Sequence, residues 1–249
     1  METGSGLSIL PVGNLPEVIP GQDLGALLLD RLRGLARAGD ILVVTQKVVS
    51  KAEGQVVDLA SVEPSQLARE WAARWGKDPR QIEVVLRESD GLVRMERGII
   101  ISRTRHGFVC ANAGVDRSNS PGETLCLLPK DSDASARALA ECLREGLGFA
   151  IPVLISDSFG RAWRVGIVNV AVGLAGMAPF SDYRGQRDSH GYLMEASLLA
   201  SADALCAAAE LVMGKVDAVP AALIRGYAFQ PQEGSVRELL RPLHEDMFR

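Results

Sequence analysis

The stretch IEVVLRESDGLVRMERGIIISRTRHGFVCA, residues 82–111, decides the fold class. Within it, residues 82–86, 99–101 and 107–111 read as strands rich in β-branched side chains, joined by hairpin-type turns. Consecutive strands with no helix between them do not fit a regular βαβ repeat. The expectation is therefore an α+β fold, with a mixed, mainly antiparallel sheet packed against helices.

Working outward, apolar periodicity supplies the helices. Residues 23–38 carry Leu24, Leu27, Leu28, Leu32 and Leu35 on one stripe, with Gly39 as the expected stop. Residues 64–75 place Leu67, Trp71 and Trp75 on one face before Gly76. Residues 131–145 read as a helix capped by Asp131 or Ser132, with Leu139, Cys142 and Leu143 facing in. Further helices are expected over 193–213 and 235–248, and short strands over 41–44, 152–155, 168–172 and 221–224. No internal repeat, low-complexity tract or interdomain linker interrupts the pattern, so residues 1–249 read as a single domain.

Composition excludes several classes of function. The chain of 249 residues is 47% hydrophobic and 23% charged, ordinary globular values. A net charge of −4 and 5% aromatics give neither a basic field nor a stacking platform for nucleic acid. The four cysteines are scattered, with no C-x-x-C pair, as expected for a reducing compartment. Cys110 and Cys142 read as small core residues. The N-terminus has no signal-peptide pattern, and the most apolar window, 193–213, is broken by Glu195, Asp203 and Glu210. A cytoplasmic protein without a membrane span is expected.

Polar residues crowd where apolar strands stop. In VVTQKVVSKAEG, residues 43–54, Lys47 and Lys51 flank Ser50 and can hold phosphate as point charges, although two lysines on a solvated hairpin would look the same. In CANAGVDRSN, residues 110–119, small residues lead to Asp116, a hard oxygen ligand for a divalent metal, and to Asn119; an Asx-stabilised turn is the plain alternative. In SDSFGRAWRVG, residues 156–166, Asp157 and Ser158 end a buried strand, and Arg161 and Arg164 offer forked donors for phosphate or carboxylate. The alternative there is a bend in which Asp and Arg pair with each other. The loop at 181–191 holds Asp182, Arg184, Arg187, Asp188 and His190, and reads equally as a substrate loop or a solvated one. No G-x-x-x-x-G-K-[ST] and no strand-linked G-x-G-x-x-G occurs. Any nucleotide must then be held by metal ions, lysines and backbone amides.

Taken in order, NLPEVIPGQDL (14–24), VVTQKVVSKAEG, CANAGVDRSN, SDSFGRAWRVG with VAVGLAGMAP (170–179), DYRGQRDSHG (182–191) and the closing IRG (224–226) resemble the coenzyme F420-0:L-glutamate ligase family. The resemblance covers nearly the whole chain. It implies an intertwined homodimer that uses GTP, Mg²⁺ or Mn²⁺ and often K⁺ to join L-glutamate to the deazaflavin coenzyme F420-0 through an acyl phosphate. Carried over residue by residue, it implies that Asp116, Asp157 and Ser158 are metal ligands, with Ser158 standing where the family usually has Thr. In that chemistry Arg161 and Arg164, read from their position after Asp157, are the candidate catalytic residues that help neutralise charge on the phosphoryl group. Nucleotide contacts are implied for Leu15, Pro16, Glu17 and Val18, for Lys47, Ser50 and Lys51, for Asn119, and for Gly214, Lys215, Val216, Asp217, Ala218, Val219 and Pro220. Lys215 is a departure, because an amide or acidic residue that touches a second metal is usual there; an ammonium replaces that metal's charge instead of binding it. Asn169 is a smaller departure, since an acidic residue is commoner at its position. The other readings are an amide ligase for a different carboxylate acceptor and a non-catalytic nucleotide- or coenzyme-binding relative.

Overall fold

The computed structural model describes residues 6–118 and 122–247. In chain order the strands are β1 Ser8–Val12, β2 Ile41–Thr45, β3 Val56–Asp58, β4 Ser89–Glu96, β5 Ile99–Thr104, β6 Val109–Ala111, β7 Thr124–Cys126, β8 Val153–Arg161, β9 Arg164–Ala175, β10 Ser181–Asp182, β11 Leu198–Leu199 and β12 Ala221–Arg225. The helices are α1 Leu24–Leu32, α2 Gln46–Ala52, α3 Gln66–Trp75, α4 Pro79–Glu88, α5 Ser132–Leu147 and α6 Ser201–Met213.

The central sheet runs β1–β12–β2–β8–β9. Its pairs are antiparallel except β2 with β8, which is parallel and aligns Thr45 with Ser156. β2 and the first half of β8 are buried on both faces, which accounts for their uninterrupted runs of Ile, Leu and Val. Leu28, Leu32, Leu143, Leu154 and Leu174 lie in the core on this sheet, together with Ala202, Cys206 and Ala209 of α6. A second core joins Leu59, Ala68, Ala72, Ile82, Val85, Ile100 and Leu125 beside the antiparallel β4–β5–β6 meander and the β3–β7 pair.

β9 is an edge strand, and carboxylates cover it. The Asn169 N–H donates to Glu210 at 3.0 Å, that of Ala171 to Asp203 at 2.9 Å, and that of Leu174 to Asp133 at 2.9 Å. Asp203 and Glu210 are two helical turns apart, so both project from one face of α6. Side chains thus occupy a ladder that would otherwise be open to another strand.

The mixed, mainly antiparallel α+β expectation holds, with several local corrections. Residues 82–86 are not a strand but the second half of α4. Asp78 caps its N-terminus and Pro79 takes the first turn, so Ile82 and Val85 fall on one helical face despite their β-branching. Residues 45–51 are not a hairpin: Thr45 caps α2, and Gln46, Ser50 and Lys51 are buried. α1 ends at Leu32, well before Gly39, because the chain turns at Gly34 with φ 77°. On α3 the inward face is Ala68 and Ala72, while Leu67 is exposed. The long helix expected over 193–213 begins only at Ser201. Residues 235–247 form two 3-10 turns, Val236–Leu239 and Leu243–Glu245, with Phe248 outside the described residues. Cys110 is buried as expected, whereas Cys142 is partly exposed. No described helix is long and apolar enough to cross a membrane.

Candidate functional site

The site is assembled at the point where the parallel strands β2 and β8 turn polar. β2 ends at Thr45, whose N–H donates to Pro220 O at 2.8 Å and whose side chain caps α2. α2 then presents Lys47 and Lys51 one turn apart on the same side. The neighbouring β8 does not stop at Ser156-Asp157, as the sequence suggested. It continues through both residues to Arg161, past an irregularity in register between Ile155 and Ser156. Asp157 and Ser158 are therefore mid-strand residues.

Asp116 arrives from the second core, to which Ala113 and Val115 belong. After β6 the chain takes three consecutive left-handed residues, Asn112 and Ala113 at φ 52° and Gly114 at φ 72°. Only Gly114 adopts this conformation without strain; for Ala113 it costs roughly 1–2 kcal/mol. The detour sets Asp116 against Cys126, with backbone N–H···O bonds of 3.0 and 2.8 Å in both directions. The Asp116 carboxylate then accepts from the Ser118 N–H at 2.7 Å and the Ser118 hydroxyl at 2.9 Å. The Lys47 ammonium sits on it at 2.6 Å and also donates to Ser118 O at 3.2 Å and to Ser118 Oγ.

The two carboxylates are electrostatic neighbours with opposite tendencies. Burial pushes the Asp157 carboxyl up to about 6, and the negative charge of Asp116 adds to the rise; the Ser158 N–H and the charges of Lys47 and Lys215 act the other way. At Asp116 burial also works to raise the carboxyl, but Lys47 and Ser118 outweigh it, and the group is held below the ordinary carboxylate range. Two thiols lie close by. Burial pushes Cys110 up to about 12 and Cys126 up to about 11, so both stay protonated at neutral pH and neither is a nucleophile.

Further segments join this centre. Lys51 donates to Glu17 Oε1 at 2.6 Å, which ties the 15–18 loop to α2. A Cβ on Gly13 would lie 3.6 Å from Val219, so the same loop runs beside residues 218–219. Gly214 ends α6 with φ 58°, and a Cβ there would meet an Asp217 carboxylate oxygen at 2.3 Å. Lys215 follows and reaches Ser158, Asn169 and Glu210.

The structure thus brings together Asp116, Asp157, Ser158, Lys47, Lys51, Glu17 and Lys215 from the sequence-based set. Ser50 is buried beneath them and donates to Gln46 Oε1 at 2.8 Å. Asn119 lies outside the described residues. Arg161 and Arg164 are not brought to this centre. They are exposed at the tip of the β8–β9 hairpin, where Arg161 donates to Val165 O at 2.7 Å. At about 3.3 Å per strand residue, Arg161 starts roughly 13 Å from Asp157. The bend in which Asp and Arg pair with each other is therefore not what forms. In the 181–191 loop the polar groups serve one another: Arg184 pairs with Asp182 at 2.6 Å, Asp188 accepts from the N–H groups of His190 and Tyr192, and Arg187 donates to Gly191 O. The solvated-loop reading describes these contacts.

Ser118 and Glu210 were not singled out by sequence. Ser118 follows Asp116 by two residues, the spacing of an Asx or ST turn, which was the available signal. Glu210 lies in an apolar helix, where from sequence its charge reads only as a break in the hydrophobic run.

Among the described residues, no group of three or more His, Cys, Asp or Glu side chains forms a metal cage. The donors present still suit one class of ion. Two carboxylates that repel each other, one of them strongly desolvated, suit a hard cation whose remaining positions are filled by water and phosphate; the Ser158 hydroxyl, next along the strand, is bonded to Asn169 and Lys215. Two cavities, of about 450 Å³ and 230 Å³, are lined by other residues, the first by Arg94, Glu96, Arg97, Ile99 and Ile101.

Comparison with known proteins supplies the last observation. A family model described as F420-0:gamma-glutamyl ligase matches residues 13–226. A protein of Methanothermobacter thermautotrophicus named coenzyme F420:L-glutamate ligase is 44% identical, over 98% of this chain and 99% of its own. Proteins of the same name from Methanopyrus kandleri and Archaeoglobus fulgidus are 43% and 37% identical, each over 98% of this chain and over 98% and 96% of their own.

Proposed function

The chain belongs to the F420-0:gamma-glutamyl ligase family, and on that premise we propose that it joins one or several L-glutamates to the terminal carboxylate of the deazaflavin coenzyme F420-0, using GTP. The observation that carries this reading is the convergence of five segments, far apart in sequence, on the Asp116–Asp157 pair. Lysines, hydroxyls and carboxylates at one point are what a phosphoryl transfer without a P-loop requires.

Asp116 and Asp157 would hold Mg²⁺ or Mn²⁺, with K⁺ as an accompanying cation, and Ser158 would join them only where Lys215 releases its hydroxyl; the divalent ion would supply positive charge at the oxygens of the transferring phosphoryl group. Lys47 and Lys51, one helical turn apart, hold the phosphates as point charges, and the 15–18 and 214–220 segments border them. Lys47, now paired with Asp116, would be free to hold phosphate if Asp116 were taken up by the cation. Arg161 and Arg164 are assigned to a substrate carboxylate or phosphate at the outer end of the same strand pair. The coenzyme carboxylate takes the γ-phosphoryl group and releases GDP. The glutamate amine then attacks the acyl phosphate carbonyl and displaces inorganic phosphate, leaving the amide.

A homodimer accompanies this reading. The β8–β9 hairpin carries Trp163, Val165 and Ile167 into solvent, with Val165 98% exposed, and exposed apolar surface of this kind favours burial against a second copy. Light scattering at the elution peak reads the mass directly.

The test of the reaction is to incubate the protein with F420-0, L-glutamate, GTP and Mn²⁺ and to measure the mass of the coenzyme. The expected result is the gain of whole glutamyl units, lost when GTP or Mn²⁺ is omitted. Binding of the coenzyme with no gain in mass would instead make the chain a binding protein. Glutamylation of another carboxylate acceptor alone would make it a different amide ligase.

A further inference from the structure

Beside the Asp116–Asp157 pair is a second cluster of oxygens, and a side chain of the protein fills it. The Lys215 ammonium donates to Ser158 Oγ, donates to Asn169 Oδ1 at 3.2 Å and pairs with Glu210 Oε1 at 3.1 Å. These oxygens come from β8, β9 and α6, and they are also held independently of the lysine. Ser158 Oγ donates to Asn169 Oδ1 at 2.6 Å, and the other Glu210 oxygen accepts from the Asn169 N–H at 3.0 Å. The ammonium thus makes two hydrogen bonds and one ion pair here, a set of partners that matches its capacity of three. A hydroxyl, an amide carbonyl and a carboxylate are equally the donor set of a hard metal ion.

The lysine is delivered by backbone geometry. Gly214 turns the chain out of α6 at φ 58° and ψ −160°, a region open to glycine, so Lys215 folds back over the last turn that carries Glu210. Its charge also reaches the Asp157 carboxyl, which places it on the flank of the first cluster.

The geometry points to Lys215 as a built-in cation: its ammonium occupies a cation seat made by Ser158, Asn169 and Glu210, and keeps a metal ion out of it. A divalent ion bound to the same oxygens would stand within a few ångströms of the ammonium, where the two positive charges repel. The chain therefore carries one fixed positive charge at this position whatever the concentration of free metal. Taken with the ligase reading, on which this consequence rests, Lys215 is a positioning residue that holds Ser158 and faces the phosphate-binding side.

The experiment counts bound Mn²⁺ with no nucleotide or coenzyme present, by the electron paramagnetic resonance signal of the free ion, in the wild-type chain and in variants. Lys215→Ala should take up one more Mn²⁺ per chain than the wild type, and Lys215→Gln, which keeps most of the stem, should do the same. Lys215→Arg, which keeps the charge, should match the wild type. Adding Glu210→Gln to Lys215→Ala should weaken the additional ion at least tenfold. Equal ion counts in the wild type, Lys215→Ala and Lys215→Gln, with all three folded by circular dichroism, would overturn the assignment. Failure of the wild-type chain to glutamylate F420-0 would strike the ligase reading and leave this ion count untouched.

Discussion

Two lysines flank Asp157, and they are held in opposite ways. Lys47 rises from α2 onto the ionised Asp116 and the Ser118 turn, so its principal partner is a carboxylate that a metal ion would also claim. Lys215 comes off the end of α6 onto an edge of the central sheet, where two of its three acceptors are a hydroxyl and an amide and the third is a carboxylate that also holds a strand N–H. On the proposed reading the first contact is exchangeable, because a cation taken up by Asp116 would free the ammonium for phosphate. The second is structural in its geometry, because Ser158, Asn169 and Glu210 are already bonded to one another. The difference teaches that charge alone does not identify a substrate-binding lysine; what else its partner could bind decides it.

The largest effect is expected at the residue both lysines share. Asp157→Ala should lower GTP-dependent glutamylation by about 10²–10³-fold, the scale seen when one charge-stabilising group is removed from an active centre. The same residue is costly to the fold, because burial pushes its carboxyl up to about 6. Asp157→Asn should therefore melt at a higher temperature than the metal-free wild type while losing activity, the signature of a functional group kept at the expense of stability. Wild-type turnover by Asp157→Ala would remove the centre from the comparison altogether.

Lys47→Ala comes next. It should lower kcat/KM for GTP by roughly 10–100-fold, mostly through KM, since a lost phosphate contact is a binding loss. Lys47→Arg should recover only part, because a planar fork does not replace a compact ammonium on Asp116 and Ser118. A change confined to kcat would break the assignment of Lys47 to the phosphates.

What the sequence disclosed of this centre, and what it hid, follows from range. The core strands 41–44 and 152–155 were legible because burial on both faces demands unbroken apolar runs. α5 was legible from its cap, since Asp131 accepts from Ala134 N at 2.9 Å. α4 was misread because Val84, Val85 and Ile82 favour strands locally, while the deciding signals, the Asp78 cap and Pro79, lie before the run. Asp157 was identified as a ligand candidate but placed at a strand end, because a polar residue after four apolar ones looks like a stop. β8 in fact continues into a hairpin whose outer half faces solvent. Glu210 was invisible as a site residue, because its role depends on a strand N–H 41 positions earlier. Arg161 and Arg164 looked central because four and seven residues is close in sequence, yet along an extended strand that spacing carries them away.

Lys215→Ala should act on the other half of the comparison with a smaller loss, roughly tenfold in kcat at fixed Mn²⁺, with part of the activity returning as Mn²⁺ is raised. The return is the informative feature. A lysine that only bound phosphate would leave a variant whose deficit no metal concentration repairs, whereas a vacated cation seat can be refilled. Lys47→Ala should show no such recovery, because removing Lys47 opens no new oxygen cluster, only the Asp116 carboxylate assigned to the cation in the proposed reading.

The smallest expected effect tests how Lys215 is delivered. Gly214→Ala keeps every oxygen of the seat and the lysine itself, but asks a β-carbon to occupy φ 58°, ψ −160° and to sit 2.3 Å from an Asp217 carboxylate oxygen. Such backbone costs about 1–3 kcal/mol, so the melting temperature should fall by several degrees. Relief of the strain requires the 214–217 turn to open, which draws the ammonium off Ser158 and Asn169. Activity should then drop only a few-fold, roughly a third of the Lys215→Ala effect on a logarithmic scale, since a displaced lysine still visits its seat. The loss should also share the partial recovery by Mn²⁺ that marks Lys215→Ala. A Gly214→Ala protein that is destabilised but fully active at low Mn²⁺ would mean that the turn serves the fold alone, and that the lysine finds its oxygens without being aimed at them.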